Sequence, residues 1–124
     1  MAVYNHPKIF ADLLVLYKEY YAAHKNLPKI FRVTIGTEIM REMTESLKLV
    51  TLINFKKNSA EDFRESIKLI KNLRAIIEIL KSFFLIAWEM KFISHGFYIS
   101  LLSKLEEISK QAASWEKWLV NQIK

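Results

Sequence analysis

The side chains that could support acid–base or metal chemistry are too dispersed in this sequence to form a recognised site. None of the three histidines, His6, His24 and His95, follows a glutamate by three residues, the spacing that di-iron helical bundles use. Glu106 and Glu107 are adjacent, so they point in different directions on a helix. The absence of cysteine excludes thiolate metal sites and cysteine nucleophiles, and two glycines sixty residues apart cannot form a phosphate-binding loop. We therefore expect no catalytic residues, no metal and no cofactor.

The side chains that remain for binding chemistry are basic. There are 19 lysines and arginines against 13 aspartates and glutamates, which gives a formal net charge of +6 and a pI near 9.5. The excess is largest within residues 28–57, and further basic residues recur at seven-residue spacing between 64 and 81. The candidate contacts for a polyanion are Lys29, Arg32, Arg41, Lys48, Lys56, Lys57, Arg64, Lys68, Lys71, Arg74 and Lys81. Each of them alone is typical of a solvated surface residue, but together they predict a surface that attracts phosphate groups.

The elements that carry these residues are predicted to be helices. With 52% apolar residues the chain can bury a core, but two glycines and two prolines are too few for the turns of an all-β domain. Apolar residues at intervals of three and four predict a first helix from about Pro7 to Asn26 and a second from Pro28 to Ile53. We expect Asn26 to cap the second helix. Gly36, within that helix, either permits a close helix contact or is a tolerated cost of about 1 kcal/mol.

Two further helices complete the predicted fold. The third extends from Ser59, whose side chain can cap it, to Lys91, about 50 Å at 1.5 Å per residue. The fourth begins at Ser94, also a capping residue, and its apolar stripe reaches Leu119. A second apolar stripe accompanies the first along the third helix: Leu69, Ile76, Phe83 and Met90. Two stripes form a wider surface than one partner helix covers, which indicates burial against further copies of the chain.

The fold class that these features predict is all-α. Four helices with short connections are expected to form an up-down-up-down four-helix bundle, as one domain over residues 1–124. No run of about 18 apolar residues predicts a membrane span, and the first residues lack the pattern of a signal peptide. We therefore expect a cytoplasmic protein that does not enter a membrane.

Two groups of residues resemble a known family. One lies at the start of the second predicted helix, and the other extends from the third helix to the end of the fourth. They comprise Leu27-Pro28-Lys29, Arg32, Ile35-Gly36 and Glu38-Ile39, then Leu73-Arg74, Trp88, Ile93-Ser94, Tyr98, Leu105-Glu106-Glu107-Ile108-Ser109-Lys110 and Trp115. Over residues 12–119, the sequence resembles the four-helix bundle family of the accessory variability determinant (Avd) of diversity-generating retroelements. That family also contains proteins encoded in intervening sequences of bacterial large ribosomal RNA.

The resemblance implies an assembly and partners that the residues alone do not. It implies a homopentamer, in which the bundles form a barrel with a basic surface. In the retroelement branch it implies that the barrel binds the reverse transcriptase and nucleic acid, both template RNA and cDNA, and that mutagenic retrohoming requires it. It also implies that Arg74 and Lys81 on the third helix, and Lys29 and Arg32 at the start of the second, make partner contacts.

Three functions remain open at the level of sequence. The first is a non-catalytic accessory protein that acts as a basic oligomeric scaffold for a reverse transcriptase and its template RNA. The second is the intervening-sequence class, in which a similar bundle binds structured RNA. The third is a purely structural or protein-interaction bundle whose positive charge serves solubility alone. Salt-sensitive RNA binding distinguishes the first two from the third, and the genomic setting distinguishes the first from the second.

Overall fold

The computed structural model describes residues 7–56 and 58–124, and this part of the chain consists of helices and the short segments between them. The helices are α1 (Pro7–His24), α2 (Lys29–Arg32), α3 (Ile35–Phe55), α4 (Ala60–Glu89) and α5 (His95–Asn121). The prediction of an all-α fold is confirmed, but the described chain has five helices where the sequence predicted four. Lys57 lies outside the described residues, so the contact predicted there stays a prediction.

The four long helices pack in a ring. α1 contacts α3 and α5, and α4 contacts the same two helices. Ion pairs join α4 to α5 between Arg74 and Glu116, at 3.0 Å, and between Lys81 and Glu106, at 3.2 Å. Because residue numbers rise along α4 while they fall along α5, these two helices are antiparallel.

Polar contacts fix the direction of α1 in the same way. Asp12 accepts a hydrogen bond from Gln111 at 2.7 Å, and Glu19 forms an ion pair with Lys104 at 2.7 Å. Residue numbers again rise along α1 while they fall along α5, so α1 is antiparallel to α5. Because α4 is also antiparallel to α5, α1 and α4 run in the same direction. The connections on either side of α3 are short, and α3 therefore runs opposite to both.

The core occupies the centre of the ring. Its largest fully buried side chains are those of Trp115, Tyr20, Phe31 and Phe84. On α4 and α5 the buried positions recur every three or four residues: Phe63, Ser66, Ile70, Leu73, Ile77, Leu80, Phe84 and Ala87, then Leu101, Leu105, Ile108, Ala112, Trp115 and Leu119. Each large apolar side chain buried in this way stabilises the fold by roughly 1.5–3 kcal/mol before entropy is counted. The core thus holds α4 and α5 together along most of their length.

The two predicted serine caps are confirmed. Ser59 Oγ accepts a hydrogen bond from the backbone N–H of Asp62, and Ser94 Oγ accepts one from that of Phe97, both at 3.1 Å. The Asp62 carboxylate accepts in turn from the backbone N–H of Asn58, also at 3.1 Å. These bonds satisfy N–H groups that have no partner inside the helix, and they fix where α4 and α5 begin.

The prediction of one continuous second helix is wrong, because the chain departs from helical geometry at Thr34. This residue has φ −113° and ψ −103°, far from the helical values near −63° and −42°. Val33, Thr34 and Ile35 are consecutive β-branched residues, which lose side-chain freedom in a helix. The Thr34 hydroxyl donates a hydrogen bond to the carbonyl oxygen of Ile30, four residues earlier, at 2.6 Å. The break separates α2, a single turn, from α3.

Asn26 does not cap the following helix, contrary to the prediction. Its side-chain amide donates back to the carbonyl of Ala22 at 3.4 Å, within α1. The residue before α2 is Pro28, which makes no side-chain capping bond. Asn26 therefore bonds back onto the last turn of α1 and does not start the next helix.

Gly36 permits a close contact between α1 and α3. A Cβ atom at this position would lie 2.8 Å from Cε1 of His24 and 3.0 Å from the carbonyl oxygen of Phe31. The His24 ring is held there by a 3.0 Å hydrogen bond between its Nδ1 and the hydroxyl of buried Tyr20. Burial, and then the charge of Arg32, lower the pKa of His24, which favours the neutral ring in this contact. Of the two interpretations of this glycine, the structure supports the close contact.

The second apolar stripe of α4, which was expected to be left partly exposed in a single chain, is covered except at its end. Ile76 is 8% exposed, and Leu69 and Phe83 are half-buried against the core, whereas Met90 is 58% exposed. The large apolar side chains that α4 exposes are Ile79, Leu85, Ile86 and Met90. The stripe therefore gives no argument for an oligomer, and the homopentamer stays a prediction.

Alanine at the two glycines should have opposite effects on stability. Gly36→Ala presses a Cβ against His24 and the Phe31 carbonyl and should lower the free energy of unfolding by about 1–3 kcal/mol. Gly96 lies in the first turn of α5 with no heavy atom within 4 Å of an added Cβ, so Gly96→Ala should raise it by up to about 1 kcal/mol. Urea denaturation measures both. A Gly36→Ala variant as stable as the wild type would contradict the close contact.

Candidate nucleic-acid interface

A groove between α4 and α5 brings basic residues of both helices together. The Arg74–Glu116 ion pair crosses it and separates two open hollows. One hollow, of about 430 Å³, is lined by Lys71, Arg74, Ala75, Glu78, Ser109 and Glu116. The other, of about 310 Å³, is lined by Arg74, Ala113, Glu116, Lys117, Val120, Asn121 and Lys124. We call the surface formed by Lys71, Arg74, Lys117 and Lys124 the basic groove.

The basic groove has more accessible cations than carboxylates. Lys71, Lys117 and Lys124 are exposed, and none of them forms an ion pair with a carboxylate of the described chain. Two carboxylates line the hollows: Glu116 is only 19% exposed and is paired with Arg74, and Glu78 is 65% exposed and is paired with Lys81 at 3.0 Å. Three ammonium groups are therefore left to attract an anion, and their summed field is stronger than that of a single surface lysine.

Lys81, predicted as a partner contact, is paired with carboxylates of the same chain. It forms ion pairs with Glu78 of its own helix, at 3.0 Å, and with Glu106 of α5, at 3.2 Å, and it is 18% exposed. Burial by itself lowers the pKa of Lys81, but hydrogen bonds and charge from the two glutamates outweigh it and raise the pKa overall. The charged amine thus links α4 to α5 and has little surface left for a phosphate group.

Five other predicted residues lie outside the basic groove. Arg41 and Arg64 each form an ion pair with a glutamate one turn earlier on the same helix, at 3.0 and 3.6 Å. Lys48 is exposed on α3, and Lys56 is half-buried where α3 ends. Lys68 is exposed on α4, one turn before the groove begins. The structure therefore does not gather the predicted residues into one surface.

Lys29 and Arg32 lie at the opposite end of α4 from Lys117 and Lys124. They are part of α2, and Phe31 between them contacts the ring of Phe92, just beyond α4, with 4.8 Å between centroids. Lys29 is exposed, whereas Arg32 is half-buried. These two residues thus form a separate basic site that cannot belong to the basic groove.

Sequence reasoning missed Lys117 and Lys124. Together with Lys110 they recur at seven-residue spacing, which puts all three on one side of α5. That signal was present in the sequence. Whether these lysines lie beside Arg74 depends on the register between α5 and α4. This register is a tertiary property that residue spacing within one helix does not predict.

Sequence reasoning also missed an aromatic cluster farther along α4 and α5. The rings of Trp88 and Tyr98 stack in parallel, with centroids 5.0 Å apart and 6° between their planes. The exposed ring of His95 lies 5.0 Å from Trp88 at 58°. We call Trp88, His95 and Tyr98 the aromatic cluster. Trp88 lies fourteen residues after Arg74, and so on the same side of α4.

Comparisons with models of known protein families, with curated proteins and with solved structures find no match. The resemblance to the Avd and intervening-sequence family therefore stays a prediction. Within residues 7–56 and 58–124, no three histidine, aspartate or glutamate side chains come together as ligands for a metal ion. None of the helices in that part of the chain is long and apolar enough to cross a membrane.

Exchanging Arg74 and Glu116 tests whether their ion pair stabilises the packing of α4 against α5. Arg74→Glu alone sets two carboxylates side by side and should lower the free energy of unfolding by about 1 kcal/mol. Adding Glu116→Arg restores an ion pair and should recover most of that loss. Urea denaturation of the wild type, both single variants and the double variant gives the coupling energy. If the two single effects simply add, the pair has no role in holding the helices together.

Proposed function

We propose that this protein is a non-catalytic accessory protein of a diversity-generating retroelement. It acts as a basic oligomeric scaffold that binds the template RNA, and the cDNA copied from it, through the basic groove. Its protein partner is the reverse transcriptase that makes this copy. The basic groove supports the nucleic-acid part of the proposal, whereas the reverse transcriptase and the homopentamer are proposed from the resemblance to the Avd family.

The observation that carries the nucleic-acid proposal is the set of accessible ammonium groups on both sides of one groove. A nucleic acid presents a row of phosphates, and each lysine that neutralises one of them releases condensed counterions. Lys71 of α4 lines one hollow, Lys117 and Lys124 of α5 line the other, and Arg74 lines both, so a single backbone that follows the two hollows can contact both helices. If the positive charge served solubility alone, these lysines would not need to lie together along one groove.

The separation of the two basic sites favours a scaffold with two partners. Lys29 and Arg32 on α2 lie at the end of the bundle opposite to Lys117 and Lys124. A nucleic acid in the basic groove leaves α2 accessible. Lys29 and Arg32 are therefore our candidates for the contact with the reverse transcriptase, in agreement with the resemblance.

Removing charge from the basic groove should weaken RNA binding more than removing the same charge elsewhere. We compare Lys71→Gln/Lys117→Gln with the control Lys18→Gln/Lys25→Gln, whose lysines are exposed at the end of α1 and lie outside the ion pairs of the described chain. Fluorescence anisotropy with a labelled RNA at several salt concentrations gives the affinity and its salt slope. The groove variant should lose roughly 1.5 units of slope, and the control little.

Two outcomes of this titration would contradict the proposal. If both double variants lose affinity equally, net charge and not the groove determines binding. If the wild-type protein binds no RNA even at low salt, the chain is a structural or protein-interaction bundle. We expect steep salt dependence for the wild type and the control variant. The groove variant should bind more weakly and with a smaller salt slope.

The DNA on either side of the gene tests the retroelement assignment separately. We expect a reading frame for a reverse transcriptase, together with two near-identical repeats that differ at adenines. A gene embedded in a large ribosomal RNA locus would contradict this assignment and would favour the intervening-sequence class, in which the bundle binds structured RNA. Sequencing a few kilobases in each direction distinguishes the two settings.

A further inference from the structure

The aromatic cluster and the basic groove lie along the same pair of helices, α4 and α5. Three contacts join these helices, at Arg74 with Glu116, at Lys81 with Glu106 and at Trp88 with Tyr98, and the carboxylates of Glu78 and Glu106, both paired with Lys81, lie between the two sites. The three α4 residues are seven apart and therefore follow one side of the helix. At 1.5 Å per residue, the tryptophan lies about 21 Å beyond the arginine. A ligand that is long and flexible enough can reach both ends.

The outer edge of the aromatic cluster is suited to stacking with a further flat ring. Trp88 and Tyr98 already lie parallel to each other and are only half-buried, and His95 beside them is exposed. Flat rings held in this way have little freedom left to lose when another flat ring packs on them. Stacking of a base on an aromatic side chain is tolerant of sequence, since every base presents a π face.

A cation stands next to the aromatic cluster. Lys91 follows α4 and is exposed, and its backbone N–H bonds to the carbonyl of Trp88 at 2.9 Å. Its φ is +64°, a left-handed conformation that glycine adopts more readily than lysine. No carboxylate among the described residues forms an ion pair with it. The aromatic cluster therefore offers a site for phosphate as well as one for a base.

We infer that α4 and α5 together bind single-stranded nucleic acid, with phosphates in the basic groove and a base stacked on the aromatic cluster. Proteins hold single strands by combining a basic groove with aromatic side chains on which bases stack, and here His95 is exposed while Trp88 and Tyr98 are half-buried. A duplex keeps its bases stacked inside, so it can use the cations but not the rings. The inference rests on the proposed function and adds to it the class of nucleic acid and the residues that distinguish that class.

The test uses a labelled twelve-nucleotide oligoadenylate RNA, alone or annealed to its complement. Anisotropy gives the affinity, and tryptophan fluorescence reports stacking. Trp88→Phe keeps an aromatic ring in the fold but reduces the stacking surface. The matched control is Trp118→Phe, because Trp118 is also half-buried and contacts Phe63, near the start of α4. His95→Ala, at an exposed position, tests the cluster without touching the core.

The expected results differ between the variants. The single strand should quench the fluorescence of the wild type and of Trp118→Phe, and it should quench Trp88→Phe much less. Its affinity should fall about fivefold in Trp88→Phe, and by less in His95→Ala, because one stacked base is weakened. The duplex should bind more weakly than the single strand and should not distinguish the wild type from Trp88→Phe.

Failure of this inference is distinguishable from failure of the proposed function. If the single strand binds Trp88→Phe and the wild type equally while the lysine variants of the basic groove still lose affinity, the stacking site is wrong and the basic groove stands. Equal affinity for duplex and single strand also overturns the inference alone. If neither nucleic acid binds the wild type, both the inference and the nucleic-acid proposal are wrong.

Discussion

The antiparallel packing of α4 against α5 is the interaction on which the rest of the structure depends. These two helices supply most of the buried core and both sides of the basic groove. Their register is fixed at one end by the connection between them, where Lys91 takes a left-handed conformation and Ser94 caps α5. Farther along, the Arg74–Glu116 pair holds it at 3.0 Å. A shift of one helical turn would separate Lys117 from Arg74 and dissolve the groove, although every helix would remain intact.

Features that depend on neighbouring residues could be predicted from the sequence, whereas features that depend on register could not. The caps at Ser59 and Ser94 are local hydrogen bonds, and the apolar periodicity of α4 and α5 directly marks their buried sides. The apolar spacing continues through the break at Thr34 and so does not indicate it, whereas the consecutive β-branched residues there do oppose a helix. How much of the second stripe of α4 stays exposed is a tertiary property, because it depends on the helices that pack against α4.

The same distinction explains the candidate site. Basic residues could be counted from the sequence, but which of them are neutralised could not. Lys81 and Arg74 meet glutamates of α5 that lie 25 and 42 positions away in the chain, so spacing gives no sign of these pairs. Lys71 and Lys117, in contrast, stay accessible. A basic bundle therefore divides its cations between two roles, since those paired across helices fix the register and those left at the surface are available to a phosphate.

The central claim is that nucleic acid lies in the basic groove between α4 and α5. Lysine acetylation followed by mass spectrometry, with and without saturating single-stranded RNA, tests it most directly because it reports on each lysine of the unmodified sequence. The account predicts that RNA slows the labelling of Lys71, Lys117 and Lys124 and leaves Lys18 and Lys25 unchanged. Protection of Lys18 and Lys25 in preference to the lysines of the groove, or equal protection of all five, would contradict it.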